Sequence, residues 1–130
     1  MPKRMLGRDW TGKIASASVL VEVATGLALV FLPTLAVRLL FGADPQGVGL
    51  PAAQLAGIAL LALCIACWPA RRQHSALLAL FAYNLGAFLF LLYLGIRGET
   101  VGPLLWPAVI LHGVFTLGFG RVLQLSRISG

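Results

Sequence analysis

The chain has 130 residues, of which 59% are hydrophobic and only 11% are charged, and its formal net charge is +6. An ordinary soluble domain has about a quarter of its residues charged, so this composition excludes that class and is typical of a membrane protein. Because no compact soluble domain carries the positive charge, we expect no nucleic-acid partner.

Four apolar stretches follow one another along the chain, and each is close to the length of about 20 residues that a helix needs to cross a bilayer. They cover residues 14–32, 50–68, 75–96 and 103–120. None of them alternates apolar and polar residues as a barrel strand does. The sequence therefore predicts an all-α integral membrane bundle of four transmembrane helices with short loops, in a single domain over residues 1–130.

The first apolar stretch follows a basic segment, MPKRMLGRDWTGK, which is also typical of a secretory signal. The small residues ASA lie at the start of the stretch and not after it, and no plausible cleavage site follows. We therefore expect this stretch to be kept as the first transmembrane helix.

Pro33 comes directly after the first stretch, and proline ends or bends a helix. The following segment, PTLAVRLLFG, predicts a short interfacial helix or a bent extension with Arg38 facing water. The Gly- and Pro-rich segment GADPQGVGLP then predicts a loop. Because the remaining links, PARRQH and RGETVG, are too short to hold domains, neighbouring helices should be antiparallel.

Basic residues are distributed unequally between the two ends of the predicted helices, since Arg38 and Arg97 lie at one end and eight others lie at the opposite end. These eight are Lys3, Arg4, Arg8, Lys13, Arg71, Arg72, Arg121 and Arg127. By the positive-inside rule, we expect both termini on the cytoplasmic side of the membrane.

Three polar residues, Glu22, Asn84 and His112, lie deep inside three different predicted helices. At 1.5 Å per residue, each is about 12 to 13 Å from the cytoplasmic boundary of a hydrocarbon core about 30 Å thick. An ionisable group at this depth is costly unless it is paired, so we expect all three to face the bundle interior. We expect His112 or Asn84 to donate a hydrogen bond to Glu22. The hydroxyls of Tyr83 and Thr116 are candidates for further hydrogen-bond partners of the three residues.

Two interpretations of this cluster remain open. The first is a polar clamp that fixes helix pairing, through interhelical hydrogen bonds worth about 0.6–2 kcal/mol each. The second is a site that handles a proton, a cation or a polar ligand headgroup. Since a neutral Gln would serve a clamp, the charge favours the second interpretation, with Glu22, Asn84, His112 and Tyr83 as the ligand-binding or proton-handling residues. One His and one Glu are too few for a metal site, so we expect no bound metal.

Cys64 and Cys67 have the CxxC spacing of redox motifs. They lie near the cytoplasmic end of an apolar helix, in a reducing compartment, so we expect them to be buried packing residues. The sequence has no nucleotide loop, nucleophile elbow, carboxylate pair or zinc spacing. It therefore predicts no catalytic residue, identifies no cofactor and favours a protein without enzymatic activity of its own.

Short stretches resemble two known families. VEVATG, residues 21–26, is similar to the first helix of small multidrug-resistance transporters, and it places Glu22 at the position of that family's proton- and drug-binding glutamate. GLALVFLP, LLFG and LLWPAVILH resemble the DoxX-like group of small four-helix bacterial membrane proteins, which is named for a quinone-linked oxidoreductase subunit. The second resemblance implies a multi-pass protein of the bacterial inner membrane.

From these features we expect a protein that binds a small amphiphile, such as a quinone or a lipid, or that is an accessory subunit of a membrane complex. The alternative is a proton-coupled transporter in which Glu22 exchanges protons against a cationic substrate. The expected partners are the lipid bilayer and either another membrane protein or a second copy of the chain.

Overall fold

The computed structural model describes residues 2–68 and 73–128, with side chains from residue 9 onward. Within them the chain forms five helices and no strand, namely α1 (Pro2–Phe31), α2 (Pro33–Phe41), α3 (Gly49–Cys67), α4 (His74–Arg97) and α5 (Leu105–Ile128). Five of the eight basic residues assigned to the cytoplasmic end lie outside this description of side chains: Lys3, Arg4, Arg8, Arg71 and Arg72.

Four of the helices are long and apolar enough to cross a membrane, and their spans are Asp9–Phe31, Gly49–Cys67, His74–Arg97 and Leu105–Ile128. The predicted all-α bundle of four transmembrane helices is therefore confirmed. Fewer than a third of the residues in each span are buried inside the protein. The outward side chains include large apolar groups such as Phe31, Ile65 and Leu117, which are suited to contact with lipid.

Pro33 separates α1 from α2, because a proline has no N–H to donate and clashes with the preceding turn. The short helix predicted after Pro33 is present as α2, which has no buried residue. At the end of α1, the side chain of Gln54 on α3 donates from Nε2 to the carbonyl oxygen of Val30 at 3.3 Å. This bond satisfies a backbone acceptor where the helical ladder is interrupted.

α2 is joined to the link between α4 and α5. The N–H of Gly102 donates to the carbonyl of Leu40 at 3.0 Å, and the N–H of Leu104 donates to that of Leu39 at 2.9 Å. A Cβ at residue 102 would collide with the carbonyl of Leu39, so glycine is needed for this approach. We call this end of the bundle, which contains α2, the α2 end.

The opposite end is the termini end, where the beginning of α1 and the end of α5 lie together. Ile14, Cys67, Ala76 and Val122, from all four long helices, belong to one apolar cluster there. Cys64 and Cys67 are free and buried in the same cluster. A second, smaller apolar cluster around Leu91, Leu105 and Val109 lies toward the α2 end.

The long helices pack as two pairs. α1 packs most extensively against α3, and α4 packs most extensively against α5, whereas the contacts between these pairs are much fewer. Gly26 and Gly57 bring α1 and α3 close together, since a Cβ on Gly57 would lie 2.8 Å from the carbonyl oxygen of Gly26. The two pairs therefore pack against each other less extensively than the helices within each pair do, and the buried polar residues lie at the interface between the pairs.

Candidate functional site

Four polar side chains are buried among the residues whose side chains are described: Ser18 and Glu22 on α1, Asn84 on α4 and His112 on α5. Three of them are completely inaccessible, and His112 is 8% exposed. Tyr83, which is partly buried, packs its ring edge-on against that of His112, with the ring centroids 6.0 Å apart. We call these five residues the polar cluster.

Helical periodicity explains why these side chains meet. Ser18 and Glu22 are four residues apart and so lie on one face of α1. Asn84 is four residues after the buried Leu80, on the inward face of α4. His112 lies between the buried Val109 and Phe115 on α5. Along both α4 and α5, the polar residue separates the two apolar clusters.

Asn84 is the centre of the hydrogen-bond network and connects three helices. Its Nδ2 donates to the carbonyl oxygen of Leu80 at 2.9 Å and to Oγ of Ser18 at 3.1 Å. Its Oδ1 lies 2.9 Å from Nδ1 of His112. Because a backbone carbonyl can only accept, the nitrogen of the amide must face Leu80, which fixes the orientation of the amide group.

Glu22 has no hydrogen-bond partner in this network. Neither of its carboxylate oxygens accepts a hydrogen bond from the described residues. Nδ1 of His112 lies 3.7 Å from Oε1 of Glu22, which is too long for a hydrogen bond. The hydrogen bond that we expected from His112 or Asn84 is therefore not formed. The physical reason is that other groups already use these donors. Asn84 donates its two amide protons to Leu80 and Ser18, and Nδ1 of His112 is hydrogen-bonded to Oδ1 of Asn84.

The two hydroxyl groups expected near the cluster differ in position. The hydroxyl of Tyr83 lies near enough to Glu22 to favour donation to the carboxyl group. The contact does not, however, meet the distance and angle limits of a hydrogen bond, so the carboxyl oxygens are left unsatisfied. Thr116 donates from Oγ1 to the backbone carbonyl of His112 at 2.7 Å. This bond lies within α5, as is common for threonine in helices, so the hydroxyl of Thr116 is used by the backbone of its own helix.

Two residues near Glu22 were not predicted as part of the site. Ser18 was not singled out from the sequence, although its spacing of four from Glu22 was a signal that both share a face. Cys64 of α3 lies beside this part of α1, with its Sγ 3.8 Å from the carbonyl oxygen of Val19. The CxxC spacing marks this thiol in the sequence but does not indicate that it lies near Glu22, because that position depends on how α3 packs against α1.

In the described part of the chain, no group of three or more His, Cys, Asp or Glu side chains is arranged to hold a metal ion. The four spans and the buried polar cluster define the class of the protein as a small multi-pass helical membrane protein. Compared with known proteins, the chain matches no family model, no curated protein and no solved structure.

Proposed function

We propose that the protein binds the polar headgroup of a small amphiphile, such as a quinone or a lipid, at the polar cluster. The observation that supports this function is the fully buried carboxylate of Glu22, which has no hydrogen-bond partner among the described residues. Leaving a buried carboxyl group without a hydrogen-bond partner is expensive in free energy, whether the group is charged or neutral. The donor that Glu22 lacks is supplied, in this proposal, by the ligand.

A structural clamp explains the cluster less well, because the clamp is complete without Glu22. Asn84 already bonds to Ser18 on α1 and to His112 on α5. These two bonds connect three of the four spans through neutral groups, which cost much less to bury than a charge. Glu22 adds no hydrogen bond to them, so its presence calls for a function other than helix pairing.

The location of the cluster supports a ligand that arrives from the bilayer. Glu22 belongs to the α1–α3 pair, whereas Tyr83 and His112 belong to the α4–α5 pair. The two pairs pack against each other much less extensively than the helices within each pair do. A headgroup between the pairs would contact both, while its apolar tail would remain with the surrounding lipid. An amphiphile has both of these parts.

The resemblance to the DoxX-like group supports a more specific placement. In this proposal the chain is a DoxX-like protein of the bacterial inner membrane, and it acts as an accessory subunit of a membrane complex or as a homo-oligomer. The unequal distribution of basic residues supports a cytoplasmic location for both termini.

Native mass spectrometry of the protein in a mild detergent tests the binding function. Wild type is expected to retain a bound amphiphile, and Glu22→Leu is expected to lose it. Glu99→Leu is the matched control, because Glu99 is an exposed carboxylate paired with Arg97 at 2.7 Å, far from the cluster along α4. A wild type without a bound molecule, or a Glu22→Leu variant that retains it equally, contradicts the proposal.

A second candidate function, proton-coupled transport of a small cation, is supported by the division of the bundle into two helix pairs. Two pairs that share a thin interface can rock against each other, which is one route to alternating access. Glu22 would then bind the cation and the proton in turn. Cation-driven proton release from the protein in detergent should disappear in Glu22→Gln, and its absence in wild type across a broad panel of cations removes this candidate.

A further inference from the structure

We propose that the polar cluster selects a headgroup that donates hydrogen bonds, and that it therefore binds the hydroxyl form of a quinone-type ligand, the quinol, in preference to the carbonyl form. This inference rests on the proposed function, and it specifies the chemical state of the ligand. The inference follows from which N–H donors of Asn84 and His112 are already hydrogen-bonded within the protein.

The first step is the fixed orientation of Asn84. Its amide nitrogen has two protons, and both are used, one by the carbonyl oxygen of Leu80 and the other by Oγ of Ser18. The side chain therefore has no donor left for a ligand. The remaining atom, Oδ1, can only accept, and it faces Nδ1 of His112 at 2.9 Å.

The second step is the tautomer of His112. Because Oδ1 of Asn84 cannot donate, the 2.9 Å contact requires a proton on Nδ1 of His112. In the neutral imidazole, only one ring nitrogen carries a proton, so Nε2 has a free lone pair. The network thus turns His112 into a residue whose remaining ring nitrogen accepts hydrogen bonds.

The third step is the carboxyl group of Glu22, whose two oxygens accept no hydrogen bond from the described residues. In its ionised form this group can only accept hydrogen bonds. Tyr83 can both donate and accept, so it does not decide between the two forms of a ligand. With Glu22 ionised, the groups that the network leaves free for a ligand are acceptors, chiefly the two carboxylate oxygens. The hydroxyls of a quinol complement these acceptors, whereas the carbonyls of a quinone would face them without a donor and leave them unpaired.

The size of the preference follows from the cost of unpaired polar groups. A buried acceptor that loses its donor costs about 1–3 kcal/mol, which corresponds to about 5- to 150-fold in affinity. We expect the wild type to bind a hydroquinone at least about 10-fold more tightly than the matching benzoquinone. Long-chain ammonium ions also donate hydrogen bonds, as the hydroxyls of a quinol do. Their binding is therefore measured separately in the test.

The test measures binding of a decyl-substituted hydroquinone, the matching benzoquinone and decylammonium to the protein in detergent, without oxygen. Tighter binding of the hydroquinone than of the benzoquinone supports the inference. Equal binding of these two, tighter binding of the benzoquinone or binding of decylammonium alone overturns it. If no probe binds, the inference is also overturned, and native mass spectrometry then decides separately whether another amphiphile occupies the site.

Glu22→Gln gives a sharper version of the same test. The amide of Gln replaces one acceptor with an N–H donor at nearly the same size, so the preference for hydroquinone should fall by about 10-fold or reverse. Glu99→Gln, the same change at an exposed position, is expected to keep the wild-type preference. An unchanged preference in Glu22→Gln contradicts the assignment of Glu22 as the selecting acceptor.

The tautomer of His112 can be measured without any ligand. In ¹⁵N NMR spectra the ring should show a protonated Nδ1 and an unprotonated Nε2. In Asn84→Leu the ring should no longer be held in this single tautomer. The chain has only two histidines, so a His74→Gln variant identifies the signals of His112. A wild-type ring that is protonated at Nε2 alone overturns the inference even if the protein binds an amphiphile.

Discussion

Nδ1 of His112 lies 3.7 Å from the nearer carboxylate oxygen of Glu22, a distance that leaves these two buried groups close but not hydrogen-bonded. The imidazole proton goes instead to Asn84, whose Oδ1 is 2.9 Å away. The cluster therefore has two parts with different roles. Asn84, Ser18 and His112 connect helices through hydrogen bonds, whereas Glu22 takes no part in this network.

The connecting role of Asn84 predicts a graded loss of stability. Asn84→Leu removes the bonds to Leu80, Ser18 and His112, so we expect the free energy of unfolding to fall by about 1–3 kcal/mol. Ser18→Ala removes only the bond from Asn84, and we expect a loss of about 0.6 kcal/mol. Unfolding by sodium dodecyl sulfate in mixed micelles, followed by circular dichroism, measures both. Equal losses in the two variants would show that Asn84 is not the centre of the network.

The close approach of α1 and α3 predicts a strong effect at one glycine. In Gly57→Ala the new Cβ would lie 2.8 Å from both the carbonyl oxygen of Gly26 and the Cβ of Leu29, so α1 and α3 must move apart. We expect a loss of about 1–3 kcal/mol in the free energy of unfolding. Gly86→Ala is the matched control, because nothing lies within 4 Å of a Cβ at that position. A helical alanine there should be neutral or stabilising by up to about 1 kcal/mol, and equal destabilisation by both changes would contradict the packing described.

The ion pair beside α2 predicts an effect of pH outside the membrane spans. The guanidinium of Arg38, 2.6 Å from Oδ1 of Asp44, lowers the pKa of that carboxyl group below its ordinary value. A lowered pKa means that the pair stabilises the folded protein above the ordinary pKa of Asp, and that this contribution is lost as the pH falls through the lowered pKa.

An NMR titration of the Asp44 side-chain carboxyl measures this shift directly. Arg38→Gln should raise the titration midpoint of Asp44 toward the ordinary value for Asp. Arg97→Gln is the control, since Arg97 is paired with Glu99 and not with Asp44. Both groups of the Arg38–Asp44 pair are exposed, so high salt should reduce the shift in wild type. A titration midpoint of Asp44 that is the same in Arg38→Gln as in wild type is evidence against the ion pair.

The fold was largely predictable from the sequence because the bilayer restricts the options. A long apolar run must form a helix to satisfy its backbone, and Pro33 marks the end of the first span without reference to any neighbour. α3 and α4 begin and end within one residue of the predicted bounds. α1 begins at residue 2 instead of residue 14, and α5 ends at residue 128 instead of residue 120, because helical backbone can extend past the apolar core into polar surroundings. α5 also begins at residue 105 instead of residue 103.

Residue depth along each helix was enough to bring Glu22, Asn84 and His112 together, since antiparallel spans place similar depths side by side. The hydrogen bonds within the cluster were not predictable in this way. They depend on which face of α4 meets α1. They also depend on the local bond from Asn84 to Leu80, which uses an amide proton that we had expected to be available for Glu22. The position of Cys64 near α1 depends on helix packing in the same manner.

The thermal stability of the ligand-free protein with and without its buried carboxylate tests the central claim most directly. If Glu22 is kept for a ligand and not for packing, Glu22→Leu removes an unpaired buried group and should raise the midpoint of thermal unfolding in detergent after removal of bound lipid. Addition of the decyl-substituted hydroquinone should then stabilise wild type but not Glu22→Leu. A Glu22→Leu protein that unfolds at a lower temperature than ligand-free wild type would contradict the account, because the carboxylate would then be holding the helices together.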